Sequence, residues 1–294
     1  MQTLAEGIAH WTQHQDDYIT PIANLYLYRR HEPTPAQVCL VEPSIVFVAQ
    51  GAKQLVIGEQ CYRYDATRFM VTALNLPGSS RVLEAQPDRP CLGLVYKLDL
   101  RTIAELATNS KLPAPADITG QGVAAIGSMT PALAEPFQRL IALLHEPDAL
   151  PVLAPLIERE IHYRLLLSDQ SARLRQIAAV GSQSFRIARA LEWLRVHYAQ
   201  PLRVDELAAH VKMSASNLHL HFRQLTAMSP LQYQKWLRLN EARRLMLNEQ
   251  FDAASAAFKV GYESPSQFSR EYSRLFGAPP KRDIDTMRRE VAAA

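Results

Sequence analysis

The sequence predicts an α+β chain in two parts. The N-terminal part is β-rich, a small barrel or two-sheet sandwich with flanking helices. The C-terminal part is all-α, two helix-turn-helix units joined by a long helix. Three observations carry this. Six or more short apolar runs, punctuated by turn residues, lie between Asn24 and Leu98. The stretch from Arg203 to Pro280 says one thing twice, as a repeated supersecondary unit does. The charge also changes sign: from residue 185 onward seventeen Lys and Arg face eleven Asp and Glu, a net +6, whereas residues 1–184 carry fifteen against eighteen, a net −3.

In chain order, residues 1–20 read as an amphipathic helix (Leu4, Ile8, Trp11) ending near Pro21, and Asn24 to Arg30 as a strand. Strands then follow over 44–51, 53–60, from Cys61, over 69–74, 80–85 and 91–98, with turn chemistry at Gly51, Gly58, Asp65, Pro77-Gly78 and Pro87-Asp88. Past Asp99 the character becomes helical: a short helix over 100–107, a Pro-, Gly- and Ala-rich loop over 111–130, and helices over 131–144 and 151–168. Those last two either cover the β-rich core or pack against a second subunit. Residues 169–184 are polar with small residues and read as a linker. The resulting division is 1–180, a linker at 181–186, and 187–294.

The C-terminal domain opens with a helix over 187–198. The repeat then aligns Leu218 with Phe268, Phe222 with Tyr272, Leu225 with Leu275 and Pro230 with Pro280. Each copy is a helix, a tight turn and a second helix. In the second helices, Leu218, Phe222 and Leu225, then Phe268, Tyr272 and Leu275, form the inward stripes. Ser216, His219, Leu220 and Arg223 fall on other faces of the first, and Ser266, Gln267, Arg270 and Arg274 on those of the second. Ser214 and Ser264 stand where an N-cap belongs, and Pro265 at the first helical position. Hydrogen-bonding side chains at the exposed N-terminal end with arginine about one turn on suit a helix entering a DNA major groove. The joining helix runs from Ser229-Pro230 to about Leu247 with Leu231, Tyr233, Trp236, Leu237 and Leu239 on a broad buried face. It would hold the two units at a fixed separation; reading successive major-groove segments needs roughly 34 Å.

The chain has no apolar run of membrane-spanning length and no basic-then-apolar start, so neither a membrane helix nor a secretory signal is expected. Cys39, Cys61 and Cys91 are too scattered for a disulfide framework or a zinc site and fit a reducing cytoplasm.

Residues 187–284 resemble the DNA-binding domain of the AraC/XylS family of bacterial transcription regulators. The resemblance rests on Met228-Ser229-Pro230-Leu231-Gln232-Tyr233, Leu239-Asn240-Glu241-Ala242-Arg243-Arg244-Leu245, the run from Val260 to Tyr272, and Phe276-Gly277-Ala278-Pro279-Pro280. The run from Pro43 to Lys53, with Tyr64-Asp65, Leu76-Pro77, Glu84-Ala85 and Pro90, resembles the family's cupin-like regulatory domain. This implies a cupin-like β-barrel and a sequence-specific regulator, often an activator, whose N-terminal domain senses a signal or dimerises. By position the resemblance carries base contact to Ser216, His219, Leu220 and Arg223 and to Ser266, Gln267 and Arg270, with Lys212, Arg274, Lys281 and Arg282 as phosphate contacts. Partners implied are double-stranded DNA, a small-molecule effector, RNA polymerase and a second copy of the chain, in the cytoplasm and without membrane. No cofactor or metal is expected. Two departures stand out. Lys212 occupies the turn position where the second copy has Gly261, so a non-glycine residue would carry positive φ. Lys281-Arg282-Asp283-Ile284 lacks the aromatic residue common after the proline.

Three further readings concern the N-terminal domain. Aromatic and thioether side chains at Tyr62, Tyr64, Phe69, Met70 and Tyr96 are candidates to line an effector pocket, or else plain core. A cupin-like enzyme would need metal ligands, yet no histidine occurs between His31 and His145, and Glu42, Glu59, Asp65 and Glu84 make a weak carboxylate-only set. A thiol-based redox or electrophile sensor needs an exposed cysteine of depressed pKa, with Arg63 near Cys61 the one helpful neighbour.

Overall fold

A computed structural model describes residues 3–72, 74–109, 124–179 and 182–293. The chain divides into two compact units, Met1–Ala188 and Arg189–Ala294.

The first unit begins with α1 (Leu4–Trp11), closed at its start by a reciprocal Thr3/Glu6 capping box. The helix expected over 1–20 stops there. The Thr12 hydroxyl donates back to the Ile8 carbonyl at 2.7 Å, and the polar run that follows has no apolar face to bury. Asp17–Ile19 is instead β1. Then come β2 (Leu25–Arg30), β3 (Gln37–Val41), β4 (Ser44–Gln50), β5 (Ala52–Ile57), β6 (Gln60–Asp65), β7 (Arg68–Thr72), β8 (Leu76–Glu84) and β9 (Cys91–Lys97). After α2 (Leu100–Asn109), β10 (Ala124–Ser128) lies within the stretch expected as a loop; residues 111–123 of that stretch fall outside the described residues. Helices α3 (Pro131–Ala142), α4 (Leu150–Leu166) and α5 (Ser171–Ala178) complete the unit.

The strands do not close into the expected barrel. They form two antiparallel sheets, ordered β1-β2-β9-β4-β7-β10 and β3-β8-β5-β6. Side-chain alternation gives the larger sheet two working faces. Leu25, Leu27, Ile45, Phe47, Phe69, Val71, Leu94 and Tyr96 point to the helices and meet Ile8, Phe137, Leu140 and Ile161. The intervening Val46 and Val95 face the smaller sheet across a cleft. The segment expected as a linker is mostly helical: within 169–184, α5 buries Leu174 and Ala178 in the same core, and the next helix already starts at Gln183.

The second unit contains most of α6 (Gln183–His197), then α7 (Val204–His210), α8 (Ala215–Thr226), α9 (Pro230–Asn248), α10 (Ala253–Lys259), α11 (Pro265–Phe276) and α12 (Pro280–Ala293). Proline at the first helical position suits α9, and a Ser229/Gln232 capping box fixes its start. Tyr233, Trp236, Leu237, Leu239, Ala242, Leu245 and Met246 of α9 are buried, as its pattern predicts. Leu231 is not: it lies half exposed, and the polar Gln234 is buried in the first turns instead, because its amide donates to the Tyr198 and Gln200 carbonyls at 3.0 and 2.7 Å.

Candidate nucleic-acid interface

Helices α7 and α8, and again α10 and α11, meet through the same turn, bond for bond. Met213 N donates to Ala208 O and Lys212 N to Ala209 O, at 2.9 and 3.1 Å; Tyr262 N donates to Ala257 O and Gly261 N to Phe258 O, at 2.9 and 3.0 Å. Both second helices start on a serine side chain, Ser214 accepting from Asn217 N and Ser264 from Gln267 N. The turn residue is left-handed in both, with φ of 56° at Lys212 and 88° at Gly261. Lys212 therefore holds the backbone region that sequence reasoning anticipated for a non-glycine residue.

The inward stripes are buried: Leu218, Phe222, Phe268 and Tyr272 have no solvent exposure, while Leu225 and Leu275 are partly covered. All eight residues assigned to DNA, Ser216, His219, Leu220, Arg223, Ser266, Gln267, Arg270 and Arg274, are exposed. Ser216, Leu220 and Arg223 share one face of α8, and Ser266, Arg270 and Arg274 one face of α11. Arg223, Arg270 and Arg274 enter no ion pair among the described residues, so their guanidinium donors are available to phosphate or guanine. Lys212, Lys281 and Arg282 are exposed as well.

The residues that position these helices were not foreseen. Glu271, on the inner side of α11, accepts from Lys235 of α9 at 2.6 Å, from the Tyr262 hydroxyl at 2.8 Å and from Gln267 Nε2 at 3.2 Å. Burial works to raise its carboxyl, but these three donors outweigh burial and hold it below the usual carboxylate range. Gln267 is thus oriented by the scaffold. Asp283 of α12 binds Arg243 of α9 through both oxygens and accepts from the Tyr272 hydroxyl at 2.7 Å. Arg238 of α9 donates to the carbonyls of Tyr198, Ala199, Gln200 and Gly261 at 2.7–3.2 Å, satisfying chain ends just after α6 together with the second turn. In the first helix-turn-helix pair the contact to α9 is aromatic, Phe222 edge-on to Tyr233 at 5.8 Å between ring centres.

The effector candidates of the N-terminal unit scatter. Phe69 and Tyr96 belong to the helix-facing core, where Tyr96 packs against Phe137 and His162. Met70 is fully buried, and the half-buried Tyr62 hydroxyl bonds to Gln60. Only Tyr64 lines the cleft between the sheets, a space of about 330 Å³. Of the cysteines, Cys61 is exposed, while burial raises the Cys39 thiol and pushes Cys91 up to about 11, away from thiolate chemistry.

Two such units braced on one long helix define a helix-turn-helix protein. Comparison with known proteins gives the family. A model of the AraC-type transcriptional regulator N-terminus matches residues 21–173, and a helix-turn-helix domain model matches residues 207–284. The chain belongs to the AraC-type family of transcriptional regulators. It is 27% identical over 149 residues to the HTH-type transcriptional regulator ArgR of Pseudomonas aeruginosa, covering 51% of this chain and 45% of that one. It is 28% identical over 148 residues to the HTH-type transcriptional activator RhaS of Escherichia coli, covering 50% and 52%. The matched part thus spans about half the length of these relatives. The fold is similar to that of ToxT from Vibrio cholerae, with a TM-score of 0.59 at 10% identity over 89% of this chain and 97% of that one. A second ToxT structure, solved with an unsaturated fatty acid bound, gives a TM-score of 0.56 at 10% identity over 89% and 93%.

Proposed function

We propose that the protein regulates transcription by laying α8 and α11, with their capping serines, into successive major-groove segments of its operator. The observation that carries this is the repeated turn, which leaves all eight assigned side chains exposed opposite two fully buried stripes. Roles follow from chemistry. Arg270 has the fork for guanine, Gln267 the paired donor and acceptor for adenine, and Leu220 an apolar tip for a thymine methyl. Ser216, His219, Arg223 and Ser266 complete the reading faces, while Arg274, Lys212, Lys281 and Arg282 contact phosphate and set register. The chain acts as an activator that engages RNA polymerase in the cytoplasm, and its N-terminal unit answers to a small molecule and does no chemistry of its own.

It acts as a homodimer. Val152, Leu156, Tyr163 and Leu167 recur at helical spacing along α4 and just past its end and are 39–66% exposed, an apolar line that a second copy would cover. Sedimentation of wild type against Leu156→Glu checks it, with a shift to monomer expected.

The deciding experiment is binding of the full-length protein to DNA from its own upstream region across a salt titration, for wild type and Arg270→Ala. Sequence-selective binding that Arg270→Ala weakens supports base reading by α11. Binding that falls uniformly with salt and ignores both sequence and Arg270 would reduce the interface to a basic surface.

A further inference from the structure

The cleft between the two sheets has apolar walls, with Val38 and Leu55 on the smaller sheet facing Val46 and Val95 on the larger. It also carries far more positive than negative charge. Four of its lining residues are cationic, Arg30, Lys53, Arg81 and Lys97, against one carboxylate, Glu42. Three of the four are occupied. Arg30 holds Asp17 at 2.8 Å, Lys97 holds Glu42 at 2.6 Å, and Arg81 donates to the Gln54 amide oxygen at 2.6 Å.

Lys53 is different. It shares the inward side of β5 with the buried Leu55 and Ile57, at a point where pairing with β8 slips register between Ala52 and Lys53. Among the described residues no carboxylate pairs with it and no acceptor takes its protons. Its ammonium sits 4.3 Å from the centre of the Tyr28 ring. Burial pushes it below the ordinary lysine value, with the nearby thiols of Cys91 and Cys39 opposing that only in part. A cation–π contact offsets only part of what withdrawing an unpaired ammonium from water costs. A lysine kept here at that cost is explained by an anion that visits.

We propose that this cleft binds a small organic monoanion, its carboxylate on the Lys53 ammonium and its hydrocarbon body against the valine and leucine walls. The inference rests on the reading of the N-terminal unit as effector-binding and names the ligand class. The volume of about 330 Å³ lies at the small end of ligand pockets, which sets the size of the body. A charge-assisted hydrogen bond in a half-buried, apolar-walled cleft gives the acid a preference over its uncharged counterpart that open water would not.

The test uses the full-length protein and two matched pairs of probes, benzoate with benzyl alcohol and hexanoate with 1-hexanol, measured by titration calorimetry and by the shift in melting temperature. At least one acid should bind wild type at least tenfold more tightly than its alcohol. Lys53→Met should erase that preference while melting no lower than wild type without ligand, because it removes a desolvated charge; Lys53→Arg should keep it. Acids and alcohols binding wild type equally would overturn the monoanion and leave the effector cleft standing. No binding of any of the four at millimolar concentration would overturn both. An acid preference that survives in Lys53→Met would place the anion elsewhere and overturn the role of Lys53. The wild-type comparison needs no variant to fold.

Discussion

The two helix-turn-helix units follow one plan with different materials. Each turns left-handed twice, at the inter-helix turn and at the end of its second helix. The second unit puts glycine at both places, Gly261 and Gly277, with φ of 88° and 79°. The first puts Lys212 and Ala227 there, at 56° and 59°, which costs an L-residue about 1–2 kcal/mol each. The second unit is also clasped by charge, through Glu271 with Lys235 and Asp283 with Arg243, whereas Phe222 against Tyr233 joins the first to the long helix. Their reading faces differ in the same sense: the position of Leu220 in α8 is that of Arg270 in α11. The difference teaches that a repeat can divide its labour. The second copy presents Arg270 from a frame clasped by charge, and the first presents Leu220 at the same position from a more strained one.

The sharpest way to break this comparison is at the turns. A Cβ on Gly261 would lie 2.0 Å from the Ala199 carbonyl oxygen, a backbone atom that cannot step aside, on top of an unfavourable φ. Gly261→Ala should therefore cost about 3–4 kcal/mol, read as a fall in the urea midpoint of the full chain. At the reading faces, Arg270→Ala should weaken operator binding by about 1–3 kcal/mol and relax specificity at one base. Leu220→Ala should cost about 1 kcal/mol or less and mainly at thymine. Fluorescence anisotropy on single-base operator variants separates the two, and equal losses would abolish the division of labour. Relieving the strained turns should act the opposite way: Ala227→Gly is expected to gain about 0.5–1 kcal/mol, with Lys212→Gly of the same sign, measured by thermal unfolding.

The smallest expected effect concerns pH. Because its donors hold the Glu271 carboxyl below the ordinary carboxylate range, its contribution is present above that range and is lost as pH falls through the lowered value. Glu271→Gln should flatten the acid limb of the unfolding profile, from the ordinary glutamate range downward, and leave the alkaline limb unchanged.

The C-terminal domain was legible because its information is local and written twice: caps, stripes and turn residues sit within a few positions of one another. The sheets were less so, since pairing is set by partners far along the chain. β3 carries only one buried residue and reads poorly as a strand, and β10, Ala-Ala-Ile-Gly-Ser, has a single β-branched side chain among small ones. Whether these ten strands close into a barrel or split in two is a property of strand order, which no periodicity reports. At the site, exposed residues followed from helix faces. The clasp could not be read so, because Glu271 and Arg238 are polar residues on inward faces whose partners on other helices and turns, Lys235, Tyr198 and Gly261, lie 23–40 positions away. Lys53 did leave a signal: a lysine in step with Leu55 and Ile57 on a strand of alternating burial.

Arg238 has a consequence of its own. Its one guanidinium grips three successive carbonyls after α6 and the carbonyl of the second turn. A planar fork can span such a set, and an ammonium cannot. The three residues that follow α6 and the turn before α11 are therefore held by one side chain. A shift of the chain just after α6 would reach Gly261 through four hydrogen bonds to a single side chain, with no loop between them to take up slack.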